Sequence, residues 1–261
     1  MTSFSARCAL SEQVEALMLG ELDAGVQREA TLILATLDAA DQRMFARIRA
    51  RLARGMFTRV GMARSLQRHV GQGGVSGYAP LDLLLAGLFD AGELPDELPQ
   101  TSEMVAYQPA PGGVILSLIE EVRDGDIVYD LGSGLGRVVL CVALLTAARA
   151  KGVEFQPNFC SYARRAAQHV NAHADFLALD ARAANLDDGT LFFLYTPFRG
   201  ALLRSVLAKL HTIATQREIR VCTFGPCTAE VHAEPWLRLR SKSPSPDELA
   251  IFDSVGLATA R

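Results

Sequence analysis
Over the first hundred residues, apolar side chains return every three or four positions, the period of a helix with one buried face. Ser11 stands as a cap before Val14, Leu17 and Met18, a first amphipathic helix. Val26, Ala30, Ile33, Leu34 and Leu37 mark a second, and Asp41 caps a third through Met44, Phe45, Ile48, Leu52 and Met56. Gly71–Gly77 reads as a flexible turn, and Pro80–Asp90 as a further helix begun by its proline. Glu93 to Pro99 reads as an exposed linker, so the chain divides into an all-helical domain over 1–100 and a second domain over 101–261.

Past that linker the pattern changes. Apolar, β-branched and aromatic runs of five to seven residues alternate with helical stretches, the signature of an α/β sheet. The expected strands are Ile127–Leu131, Lys151–Phe155, Asp175–Asp180, Leu191–Tyr195, Glu218–Phe224, Trp236–Arg240 and Glu248–Asp253. A helix over Val114–Val122 precedes them, and between them lie helices over Arg137–Ala150, from Pro157 onward, and Arg199–Ile213.

The most informative stretch is Asp126–Leu140, an apolar strand that turns through glycines directly into a helix. Such an elbow presents free backbone N–H groups to a ligand. Its spacing is Asp130-x-Gly132-x-Gly134-x-Gly136, which is not the G-x-G-x-x-G of a pyrophosphate cradle. An acid two residues before the first glycine suits a ligand bearing an ammonium and a sulfonium, and suits a phosphate poorly. Glu154 stands at the end of the second strand, where a carboxylate accepts two hydrogen bonds from ribose hydroxyls, and Asp180 ends the third.

Together these residues resemble the first motifs of the class I (seven-strand) S-adenosylmethionine-dependent methyltransferases. The resemblance implies a Rossmann-like sheet of five parallel strands closed by an antiparallel pair, with S-adenosyl-L-methionine as cofactor. It implies that Asp130, Gly132, Ser133, Gly134 and Gly136 hold the cofactor's amino-acid end, Glu154 its ribose and Asp180 its adenine. A Tyr-x-Pro segment, here Tyr107-Gln108-Pro109, folds over the cofactor in many such enzymes. In the amino-group methyltransferases an Asp or Asn, Pro, Pro, aromatic motif ends the fourth strand and holds the acceptor nitrogen. This chain has Tyr195-Thr196-Pro197-Phe198 there, with no acid or amide at its head, and these four residues are the candidate acceptor site. The run Asp130–Val139 is similar to the seven-strand protein-lysine methyltransferases, including the histone type without a SET domain. The expected activity is transfer of the methyl group of S-adenosylmethionine to an acceptor the sequence does not identify, a protein lysine being the one this resemblance suggests. A small-molecule N- or O-methyltransferase and a non-catalytic S-adenosylmethionine-binding regulator are the alternatives.

Composition changes this picture little. A formal charge of −3 and 49% hydrophobic residues describe an ordinary globular protein without a global nucleic-acid signal. No apolar run approaches the roughly 20 residues of a membrane span, and no signal pattern opens the chain, so the expected compartment is the cytoplasm. Five cysteines show no metal spacing, and no metal is expected. The exception to this even balance is the arginine run Arg43, Arg47, Arg49, Arg51, Arg54, Arg59, Arg64 and Arg68. It reads either as a solvated helix face or as a surface for phosphates or an acidic partner; no aromatics interleave it, as single-strand binding would require.

Overall fold
The computed structural model describes residues 2–70, 79–99, 101–241 and 243–255. The expected Gly71–Gly77 turn lies outside them. By backbone contacts the chain separates into two compact units, residues 1–90 with 169–171, and the remainder.

The first unit contains α1 (Phe4–Met18), α2 (Ala24–Ala53), α3 (Arg59–Gln67) and α4 (Pro80–Leu88). Each start is set by local chemistry. Ser3 accepts from the Ala6 N–H, Asp23 from Gly25 and Val26, and Thr58 from Gly61, while Pro80 occupies the first turn of α4. The first helix therefore begins at Ser3 rather than Ser11. The second and third expected helices are one. Asp38-Ala39-Ala40 contains no breaker, alanine is the best helix former, and Asp41 is drawn sideways into an ion pair with Arg7 of α1 instead of capping. The core gathers Phe4, Phe45, Leu52, Leu66, Leu85 and Leu88, with Phe4 edge-on to Phe45. Gly87 admits the Phe45 ring, which an added Cβ would meet at 2.2 Å.

The second unit is a seven-stranded sheet of order β3-β2-β1-β4-β5-β7-β6. Its strands are β1 (Ile127–Leu131), β2 (Arg149–Glu154), β3 (Ala174–Ala178), β4 (Leu191–Tyr195), β5 (Arg220–Phe224), β6 (Leu237–Leu239) and β7 (Ala250–Ser254). The first five run parallel; β7 is antiparallel to both β5 and β6. This is the class I methyltransferase sheet expected from the sequence. Helices α5 (Gly112–Glu121), α6 (Arg137–Leu145), α7 (Pro157–Val170), α8 (Gly200–Ala214) and α9 (Cys227–His232) connect or flank the strands. Every side chain of β1 is buried, as a strand covered on both faces requires. Ile127, Tyr129 and Leu131 share one core with Phe192, Leu194, Val221 and the apolar stripe of α8 (Leu203, Val206, Leu210). The α6 helix ends at Leu145, five residues earlier than expected. Thr146 is extended, and Arg149 and Ala150 pair with Ile127 and Val128 of β1. Among the described residues no helix is long and apolar enough to cross a membrane, and no cluster of His, Cys, Asp and Glu could hold a metal.

Candidate active site
Strand order reverses between β1 and β4, and in an open α/β sheet the crevice beyond the carboxyl ends of the strands at such a switch point receives the ligand. A cavity of about 700 Å³ opens there. It is lined by Tyr107, Gln108, Asp130, Gly132, Ser133, Gly134, Glu154, Asp180 and all of Tyr195–Phe198. Two of the expected residues are not in the lining. Pro109 is exposed, and Gly136 serves the fold: its φ of 83° starts α6, and a Cβ there would meet Phe176 at 2.7 Å and Ala163 at 2.9 Å.

The glycine loop is built from backbone hydrogen bonds. Gly132 and Ser133 both donate to the Val153 carbonyl of β2, at 2.8 and 3.0 Å. Glu154 holds the next turn, one carboxylate oxygen accepting from the Gly134 N–H at 2.8 Å and the other from Gln156 at 2.9 Å. Each oxygen keeps a further lone pair, so the same carboxylate can still accept from a ribose. Asp130 is almost wholly buried beside it. Desolvation, with the Glu154 charge adding to it, pushes the Asp130 carboxyl up to about 8. Burial also raises Glu154, against the pull of its backbone donors.

Asp180 departs from its expected setting. The third strand stops at Ala178, and the Asp180 carboxylate turns onto Arg182, taking its backbone N–H at 2.8 Å and its guanidinium at 2.6 to 3.1 Å. Those hydrogen bonds hold it below the usual carboxylate range.

Two segments wall the cavity, and both touch the glycine loop. The Tyr107 ring covers Gly134, where a Cβ would lie 2.3 Å from it, and Pro197 covers Gly132, where a Cβ would lie 2.1 Å from the proline Cβ. Burial pushes the Tyr107 phenol up to about 12, so it is neutral at physiological pH. The two walls are joined: Val105 N–H donates to Pro197 O at 3.1 Å, Met104 bridges Phe198, and Arg199 N–H donates to Glu103 O at 2.9 Å. Thr196 has φ of 37°, left-handed for a β-branched residue, a strain of about 1–3 kcal/mol. Its hydroxyl donates to Phe224 O at 3.3 Å and accepts from Cys227 N–H at 3.2 Å. The Tyr195 hydroxyl donates to Gln108 Oε1 at 3.4 Å.

Glu103 was not singled out by the sequence. Its carboxylate accepts from the N–H groups of Ala201 (2.7 Å) and Leu202 (3.2 Å), capping α8, whose own N-cap residue Arg199 supplies no side-chain bond. No local pattern announces a cap that arrives from 98 residues away. Glu103→Ala should lower stability by about 1 kcal/mol, the usual cost of a lost cap, read as a shifted urea midpoint. An unchanged midpoint would show that α8 starts without it.

Ser133 Oγ is buried and, among the described residues, has no hydrogen-bond partner. A buried hydroxyl without a partner among the described residues and two adjacent buried carboxylates fit a ligand with an amino-acid end and a ribose. The volume lies within the roughly 300–1,000 Å³ of small-molecule sites. S-adenosylmethionine, with an ammonium that Asp130 would face and a ribose whose hydroxyls Glu154 would accept from, matches that donor and acceptor set.

Residues 114–194 match the family model described as "Histone methylation protein DOT1". That span runs from α5 into β4 and carries the glycine loop, Glu154 and Asp180, while Tyr107–Pro109 and Tyr195–Phe198 lie outside it. No curated protein matches the chain. Among solved structures, it is similar to an RNA methyltransferase from Salinibacter ruber in complex with S-adenosyl-L-homocysteine. That likeness has 24% identity over 57% of this chain and 95% of that one, with a TM-score of 0.43. It is similar to a magnesium protoporphyrin IX methyltransferase from Synechocystis PCC 6803 with bound S-adenosylmethionine, at 16% identity over 55% of this chain and 76% of that one, TM-score 0.40. A putative RNA methyltransferase from Pyrococcus horikoshii gives 16%, 58%, 85% and 0.44 for the same quantities.

Proposed function
We propose that this chain, a class I S-adenosylmethionine-dependent methyltransferase, methylates the side-chain nitrogen of a protein lysine. The observation that carries the acceptor reading is the family match from α5 into β4. The likeness of Asp130–Val139 to protein-lysine methyltransferases supports it.

When bound, the cofactor supplies a methyl group on a sulfonium, already an activated donor. The chain's own work is then alignment and the exclusion of water. Tyr195, Phe198 and Phe224 form apolar walls at the acceptor end of the cavity. The Thr196 hydroxyl is committed to backbone partners, so the hydroxyl that can orient an incoming nitrogen at this corner is that of Tyr195. Its proton points to Gln108, which leaves the phenol oxygen as acceptor.

The test is transfer of a tritiated methyl group from S-adenosylmethionine to a soluble protein extract, followed by hydrolysis and amino-acid analysis. Label in methyl-lysines is expected, and Tyr195→Phe should cut it about tenfold, the worth of one hydrogen bond, without changing affinity for S-adenosylhomocysteine. Label confined to nucleic acid or to small molecules would overturn the lysine reading.

A pH dependence follows from Asp130. In the ligand-free site its carboxyl is protonated below about 8, and a ligand ammonium requires the ionised form. Binding should therefore release a proton, and affinity for S-adenosylhomocysteine should climb between pH 6 and 8 by up to about tenfold per unit, then level. Calorimetry in buffers of different ionisation enthalpy reads the released proton. A flat profile would remove Asp130 from the ammonium site. Asp130→Asn should bind weakly at every pH.

A further inference from the structure
We infer that the helical unit carries a docking surface for the phosphate backbone of double-stranded nucleic acid, formed by the second half of α2. Eight of the chain's 23 arginines fall between residues 41 and 70, where Asp41 is the sole acid and is already paired with Arg7. The first 40 residues are the reverse, with six acids and two arginines.

Helical geometry sorts the basic half into two faces. Phe45, Leu52 and Arg49 face the unit, the first two buried and Arg49 donating to the Gly87 carbonyl. Successive residues turn by about 100°, so Arg43, Arg47 and Arg54 fall within roughly 40° of one another on the opposite side, along about 16 Å of helix. All three are exposed, and the ion pairs of the described residues include none of them. Arg51 flanks the stripe with its guanidinium over Phe57, 4.4 Å from the ring centroid.

Such a stripe repels itself, and a polyanion relieves it. Ala46, Ala50 and Ala53 lie beside the arginines, so the strip offers charge on a flat floor. It lacks the large apolar anchor that protein interfaces centre on. The one ring beside it, Phe57, is half-buried and covered by Arg51, so it offers no platform for stacking unpaired bases. Charge alone, spaced along a straight rod, matches backbone contact to a duplex, which is independent of sequence and falls steeply with salt.

The experiment is fluorescence anisotropy of the full chain with a labelled 20-base-pair DNA duplex, the matching RNA duplex and a poly-glutamate peptide, each titrated from 50 to 200 mM salt. Binding to a duplex is expected, and comparing the two duplexes identifies which is preferred. Arg43→Gln/Arg47→Gln/Arg54→Gln keeps helix-forming residues; it should reduce the log–log salt slope by about 0.9 for each arginine in contact, near 2.7 in all on DNA. Its melting temperature and its affinity for S-adenosylhomocysteine should be unchanged, which keeps this result separate from the methyl-transfer reading. No duplex binding at 50 mM salt, an unaltered slope in the variant, or binding to poly-glutamate alone would each overturn the proposal.

Discussion
Gly132→Ala should reduce affinity for S-adenosylhomocysteine by about a hundredfold. Alanine at a φ of 85° costs about 1–2 kcal/mol, and its Cβ would stand 2.1 Å from the Pro197 Cβ. Neither neighbour yields easily, because Gly132 is tied to Val153 and Pro197 to Val105. The methyl group would therefore push the cofactor loop and the acceptor corner apart at the point where they meet. Gly125 is the control: its φ of 86° is equally left-handed, but nothing lies within 4 Å of its Cβ position. Gly125→Ala should lose stability alone, and Gly132→Ala stability and affinity together. Calorimetric titration of both, beside circular dichroism, separates the cases. Wild-type affinity in Gly132→Ala would take the loop out of the cofactor site.

Arg220→Leu should destabilise the protein by about 3–5 kcal/mol, the range for stranding one member of a buried ion pair. That is a large share of the roughly 5–15 kcal/mol that holds a typical domain. Arg220, on β5, reaches the Asp126 carboxylate and the Glu121 carbonyl, and both charged side chains are buried. Burial alone would lift Asp126, but hydrogen bonds from Arg220 and Thr190 outweigh it and hold the carboxyl below its ordinary value. The pair's contribution is thus present above about pH 4, the unfolded carboxyl's range, and is lost as pH falls through the lower folded value. Without Arg220 the buried carboxyl shifts upward instead. The gap between wild type and variant should be small near pH 3 and full at neutrality, and Asp126→Asn should restore part of it. Urea titrations across pH read both, and a gap independent of pH would refute the charge argument.

Where burial decides structure, the residue pattern alone specifies the element. Ile127–Leu131 is a strand to the residue because its run of apolar side chains fills both faces of a central position. The glycine loop, Glu154 and the Tyr195–Phe198 wall are legible as residue types at strand ends, and the Tyr107–Pro109 wall as an extended segment held by its prolines. Structure departs from local pattern where neighbours override local preference. Arg149 and Ala150 belong to a helix by propensity and to β2 by pairing with β1. Asp41 reads as a cap until Arg7 of another helix takes its carboxylate. Asp180 stands near the expected place, but the turn toward Arg182 depends on where β3 stops. Glu103 was invisible, since its value to α8 exists only once the chain has folded back on itself.

The insertion of β7 between β5 and β6 has a consequence for how the chain matures. During synthesis the first five strands can assemble while the outer edge of β5 still lacks its neighbour, and an open edge of this kind invites pairing with another chain. That edge closes only after residues 250–254 have left the ribosome, and Pro246 and Asp247, part of the cavity lining, arrive just before them. The Pro246 carbonyl then receives the Gly225 N–H beside the acceptor corner. Ligand competence and protection from aggregation are therefore acquired together, late and after translation of nearly the whole sheet.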